Sequence, residues 1–176
     1  MPALVTRRAP GSAALSPSAV RKLAEAMLHT LALDASELSV LLTNDVTIHE
    51  LNLQHRQKDR PTDVLAFPLD EQGEDPERRW LGDVVISIDT ALRQASSRKR
   101  ELIVEVRFLL AHGLLHLIGY DHDTRPRKRE MDAAARRLVR SAPLAPSRTR
   151  ATAVMRKLPR KRARPARRAN SPRKSR

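Results

Sequence analysis

A chain of 176 residues has the size of one ordinary domain with room for an appendage, and it can bury a core without covalent staples. It contains no cysteine, which excludes disulfides, thiolate zinc sites, iron–sulfur clusters and cysteine nucleophiles, so any transition metal must rest on His, Asp or Glu. Its 34 basic against 20 acidic residues give a formal charge of +14, which points to a polyanionic partner, while its aromatics are only Phe67, Trp80, Phe108 and Tyr120.

In chain order, residues 1–15 read as a flexible N-terminus, and Ala3, Leu4 and Val5 are too short an apolar run for a secretory signal. Ser16 before Pro17 starts a helix, and Val20, Leu23, Ala24, Met27, Leu28 and Leu31 recur at its spacing. Leu38, Val40 and Leu42 predict a strand, Asn44-Asp45 a turn, and Val46 to about His55 a helix through Ile48, Leu51 and Leu53. Thr62 to Phe67 is a short β-prone run ended by Pro68, followed by an acidic surface loop from Asp70 to Pro76.

Leu81 to Ile88 predicts another strand, and Asp89 a cap for a helix through Ala91 to about Ser97. Glu101 to Leu117 reads as a longer helix, apolar on more than one face and therefore buried. Its apolar run is broken by Glu105, Arg107, His112 and His116, which argues against a membrane span, so a soluble, cytoplasmic protein is expected. A last helix opens near Pro126 and runs to about Arg140, with Met131, Ala134, Ala135, Leu138 and Val139 as its apolar side. Beyond it, residues 141–176 hold thirteen Lys or Arg and no acid, whereas residues 1–140 are close to neutral. That segment has no periodic apolar face to offset the entropy of ordering, and it reads as a disordered basic tail. The expected architecture is an α+β single domain over residues 16–140, a small mixed sheet packed by helices with the His-bearing helix in the core.

The chemistry concentrates between His112 and His122, which with His116 make up half of the chain's six histidines within eleven residues. Positions four apart on a helix differ by about 40° of rotation and about 6 Å of rise, so His112 and His116 can face one ion from adjacent turns. A third ligand further along a continuous helix would drift away. Gly119 can end the helix in a left-handed conformation and let Tyr120, Asp121 and His122 swing back. Three neutral imidazoles on a tetrahedral ion leave one place for water, the stoichiometry of a catalytic zinc site. His29, His49 and His55 are isolated and read as surface or structural residues.

The spacing matches the zinc-peptidase pattern H-E-x-x-H-x-x-G-x-x-H at its ligands and glycine, but Gly113 stands where that pattern has its general-base glutamate. Peptidase chemistry by that route is disfavoured. The segment resembles instead the signature H-G-x-L-H-L-x-G-Y-D-H of the YbeY family of bacterial ribosomal-RNA maturation endoribonucleases, every specified residue of which is present from His112 to His122. Two further segments resemble the family: Leu51-Asn52 with Arg56, Asp59 and Pro61-Thr62-Asp63-Val64-Leu65 through Phe67-Pro68, and Leu81-Gly82-Asp83 with Val84, Val85, Ile86 and Ser87. The likeness spans about residues 38–140. His55 and Ala66 depart from the family's usual aromatic and serine, and the basic tail lies outside its pattern.

The resemblance implies a metal-dependent single-strand endoribonuclease acting in ribosomal-RNA maturation and ribosome quality control, with Arg56 corresponding to the family's catalytic arginine. A guanidinium beside a metal ion would meet the charge that phosphodiester cleavage builds on the non-bridging oxygens. Asp59, Thr62 and Asp63 either order the Arg56 loop or cap a turn, Asp63 could also orient a ligand histidine, and Asp121 serves as a proton acceptor or a turn cap. The general base is open, with water and the neighbouring ribose hydroxyl both available as nucleophiles. Zinc is the default ion for three imidazoles, with nickel and other ions of the series as alternatives. A flexible arm with thirteen cations would bind ribosomal RNA by counterion release, without base stacking, since it has no aromatic. Two other classes stay open: a ribosome-assembly binding factor whose metal is structural, and an atypical metallohydrolase of another substrate.

Overall fold

The structure, a computed structural model, describes residues 3–8, 15–69, 79–142 and 144. Among them the chain runs β1 (Ala3–Arg7), α1 (Pro17–Thr30), β2 (Glu37–Thr43), α2 (Asp45–Arg56), β3 (Val64–Pro68), β4 (Trp80–Ser87), α3 (Ile88–Ser97), α4 (Leu102–Leu117) and α5 (Arg125–Ser141). This is the expected α+β domain with a mixed sheet, ordered β1-β2-β4-β3. β1 and β4 pair parallel with β2, and β3 pairs antiparallel with β4.

Alternation along the strands separates two cores. Leu38, Val40 and Leu42 of β2 with Val84 and Ile86 of β4 point to the larger one, which they share with α1, α4 and α5. On the opposite face Leu65 and Val85 meet Ile48, with Leu41, Leu51 and Phe67 packed around them. α4 lies against the sheet with its neighbours around it, and it is buried on more than one side, as its apolar composition requires.

Three local readings change. Residues 1–15 were expected to be flexible, yet Ala3–Arg7 form an edge strand whose register pairs Ala3 with Leu38 and Arg7 with Leu42. Five residues carry too little alternation to signal a strand, and the pairing that stabilises them comes from β2. Residues 1, 2 and 9–14 lie outside the described set. Second, α3 is capped by Ser87, whose Oγ accepts from the Thr90 N–H, so the helix begins before Asp89. Asp89 accepts instead from the Asp45 N–H at 3.1 Å. Third, α5 continues through Ser141, and Ala142 is fully buried, so the globular unit outlasts the boundary expected at residue 140. The acidic loop from Asp70 to Pro76 and the basic tail from residue 145 onward lie outside the described residues.

Candidate metal centre

α4 brings His112 and His116 to the same side, with their Nε2 atoms 3.2 Å apart. The helix then stops in a Schellman arrangement: the Tyr120 N–H donates to the Leu115 carbonyl at 3.0 Å and the Gly119 N–H to the His116 carbonyl at 3.1 Å. Gly119 adopts φ +90°, as the spacing anticipated. The reversal carries His122 back to the helix end, where its ring stacks against His112 with centroids 5.6 Å apart and stands edge-on to His116 at 5.2 Å. One ring nitrogen from each histidine falls within 4.8 Å of the others. Asp121 caps this turn, its Oδ1 accepting from the His122 N–H at 2.7 Å.

The donor set fits a divalent ion. Burial disfavours protonating His112, and the neighbouring His116 and His122 add to this, against the opposing pull of Asp63 and Asp132; its pKa falls below the ordinary 6.5. The His116 pKa is likewise lowered, first by burial, then by His122 and by the charge of Arg56, against the Tyr120 backbone and Asp121. Neutral imidazoles at physiological pH are the form a metal requires. His122 is half exposed, so the trio opens to solvent on one side.

Arg56 closes α2 beside this trio, near enough for its charge to be felt at His116, and it forms no ion pair among the described residues. The chain after it is held tightly. Gln57 takes a left-handed conformation, the buried Asn52 donates to the Arg60 carbonyl at 2.7 Å, and His49 lies 2.7 Å from an Asp59 carboxylate oxygen. Asp59 thus ties this segment back to His49 on α2. Asp63 does not bond a histidine: its Oδ1 accepts from the Val64 N–H and its Oδ2 from Gln94 Nε2, both at 2.9 Å. Its influence on His112 is electrostatic.

The isolated histidines are structural or superficial: His49 with Asp59, His29 with Asp34, and His55 against the Phe67 ring. Sequence reasoning assigned no role to Asn52 or Gln94. Asn52 left a trace, a polar residue in the buried register of an amphipathic helix; Gln94 left none. Gly113 takes on a packing role. A Cβ there would lie 2.7 Å from Val84 Cγ1 and 3.2 Å from Val64 Cγ2, so the sheet fills the place where a peptidase carries its glutamate.

A mixed four-stranded α+β domain whose core helix carries two members of a solvent-open histidine trio defines a class of proteins able to hold a metal ion at the end of a buried helix. The family model described as Endoribonuclease YbeY matches residues 11–142. The chain belongs to the YbeY endoribonuclease family. It is 51% identical over 104 residues to the Endoribonuclease YbeY of Aquifex aeolicus, covering 59% of this chain and 68% of that one. With the Endoribonuclease YbeY of Persephonella marina it shares 45% identity over 113 residues, 64% of this chain and 74% of the relative. The solution structure of TM1509 from Thermotoga maritima superposes with a TM-score of 0.55 at 26% identity, over 79% of this chain and 89% of that one. No helix among the described residues is long and apolar enough to cross a membrane.

Proposed function

We propose that this protein is a metal-dependent single-strand endoribonuclease of ribosomal-RNA maturation and ribosome quality control, working in the cytoplasm where ribosomes are made. His112, His116 and His122 hold one divalent ion, and Arg56 binds the phosphodiester next to it. The observation that carries this reading is the convergence of three imidazole nitrogens within 4.8 Å beside a guanidinium with no ion pair among the described residues, in a chain of this family. Three nitrogen donors and no thiolate favour zinc.

A divalent ion held by His112, His116 and His122 would supply Lewis acidity toward the phosphodiester oxygens. The remaining work falls to the chain's own groups. His112 and His116 stay neutral through burial, and the Schellman turn fixes the approach of His122. Asn52 and Asp59 tie the segment after Arg56 back to α2, and the exposed guanidinium can present two N–H groups to the non-bridging oxygens. Peptide hydrolysis by the glutamate route is disfavoured, since Gly113 is pressed against Val84. The half-exposed His122 favours a catalytic ion over an enclosed structural one. The basic tail would tether the enzyme to RNA through its thirteen cations.

The test is a cleavage assay on purified protein combined with elemental analysis. Single-stranded RNA should be cut, His112→Ala and His116→Ala should each abolish both cutting and bound metal, and Arg56→Ala should lower kcat by about 100-fold or more while metal content is kept. Undiminished cutting by His112→Ala in metal-free buffer would overturn the assignment.

A further inference from the structure

The trio does not close the site. A cleft of about 360 Å³ extends from His112 between α3, α4 and α5, within the size range of small-ligand pockets. Val64, Phe108, Leu109 and Ala135 line it as apolar surface, with Asp63 and Gln94 among its polar groups. Most of its charged side chains have ion-pair partners. Arg98 and Arg100 both pair with the buried Glu105, Arg100 also lies 5.2 Å from the centroid of the Phe108 ring, and Asp132 is bound by Lys128 at 3.0 Å. For a phosphate, Arg136 on the exposed side of α5 has no ion pair among the described residues, whereas Arg98 and Arg100 share the one carboxylate of Glu105.

Gln94 decides what kind of neutral group fits. Its Nε2 donates to Asp63 Oδ2 at 2.9 Å, and because a carboxylate only accepts, the amide has one orientation. Its Oε1 is left as an acceptor with no partner among the described residues. Apolar walls with one oriented amide acceptor suit a flat ring that carries N–H groups on its edge.

We propose that this cleft is a nucleobase subsite: the base of a nucleotide next to the scissile phosphate leaves the stack, lies between Val64, Phe108 and Ala135, and donates from its edge to Gln94 Oε1. The inference rests on the reading of RNA as substrate and adds to it an interaction with the base, where the metal trio and Arg56 engage the phosphate.

The probe is a single-stranded RNA oligonucleotide in which one abasic residue is moved along the strand, assayed for cleavage, together with 2′-O-methylated copies assayed for binding. With the metal-loaded protein, base removal at one or two positions beside the cut should lower kcat/KM, and raise Kd for the methylated copy, by about tenfold or more, the size expected when one stacked base is removed. Ala135→Leu, which fills the cleft from α5, should erase that position dependence with metal content unchanged; if that variant does not fold, Gln94→Ala should weaken the dependence several-fold. The proposal is overturned if base removal at every position leaves kcat/KM and Kd unchanged, or if the dependence survives both variants intact. It is also overturned if binding ignores bases and is lost with Arg136→Ala, which would make the cleft a phosphate site. If no RNA is cut but Kd still rises with base removal at one position in a manner erased by Ala135→Leu, the endoribonuclease reading fails and the subsite stands.

Discussion

A Cβ at position 113 has nowhere to go. Val84 Cγ1, 2.7 Å from it, belongs to a β-branched side chain on a central strand, so relief requires α4 to lift off the sheet. Gly113→Ala gains about 1 kcal/mol of helix propensity, yet overpacking of this kind typically costs about 1–3 kcal/mol. The expected outcome is a net loss of stability in denaturant unfolding that is partly restored in the Gly113→Ala, Val84→Ala double variant; equal stability of Gly113→Ala and the parent would show that the helix moves freely. At the histidines the expectation concerns protons. His112 and His116 hold pKa values below 6.5, so they offer free lone pairs at neutral pH, and acidification makes protons compete with the ion. Metal retention followed by dialysis should be flat above pH 6.5 and decline below it. A decline that begins well above that value would mean the rings are not kept neutral by burial.

Between elements, one carboxylate joins α2 to α3. Asp45 Oδ1 accepts from Ser87 Oγ and from Thr90 Oγ1, and its Oδ2 accepts from Arg93 Nη2 at 2.7 Å. Burial by itself would raise its pKa, but the three donors and the Arg93 charge more than offset this and hold it below 3.8. The charged form is thus the one the fold stabilises. That stability is present above the unfolded value and is lost as pH falls from 3.8 through the lower folded value. Asp45→Asn should cost about 1–2 kcal/mol in urea unfolding at pH 7, with the gap to the parent shrinking below pH 3.8. A gap independent of pH would assign the effect to shape and not to charge. Since Asp45 opens the helix that Arg56 closes, this junction also anchors the start of that helix.

For the molecule as a whole, neutrality and charge are segregated along the chain. The thirteen cations beyond residue 140 all lie after Pro146, whereas Ala142 is buried and its carbonyl accepts from Arg107 Nη1 at 3.3 Å. A deletion starting at residue 141 would therefore take core atoms with it, whereas one starting at Pro146 keeps Ala142 and Leu144. Removing residues 146–176 is expected to leave the bound metal unchanged and to weaken RNA binding most at low salt. The plot of log affinity against log salt should flatten by about 0.7 for each single-strand phosphate that the tail had neutralised. An unchanged slope would separate the tail from RNA binding.

The local code determined a good deal. Helices α1 to α5 and strands β2, β3 and β4 are legible because apolar spacing, caps and β-prone composition are local signals, and the His112-to-His122 motif is legible because ligand spacing and a helix-ending glycine are properties of one short segment. Arg56 emerged only through family resemblance, as one arginine among many. Tertiary structure alone decided the rest: the pairing that makes Ala3–Arg7 a strand, the sheet order, the meeting of Gly113 with Val84, the amide orientation Asp63 imposes on Gln94, and the cleft between three helices. These depend on groups distant in sequence brought together by burial, and periodicity within a segment carries no record of which distant segment it will meet.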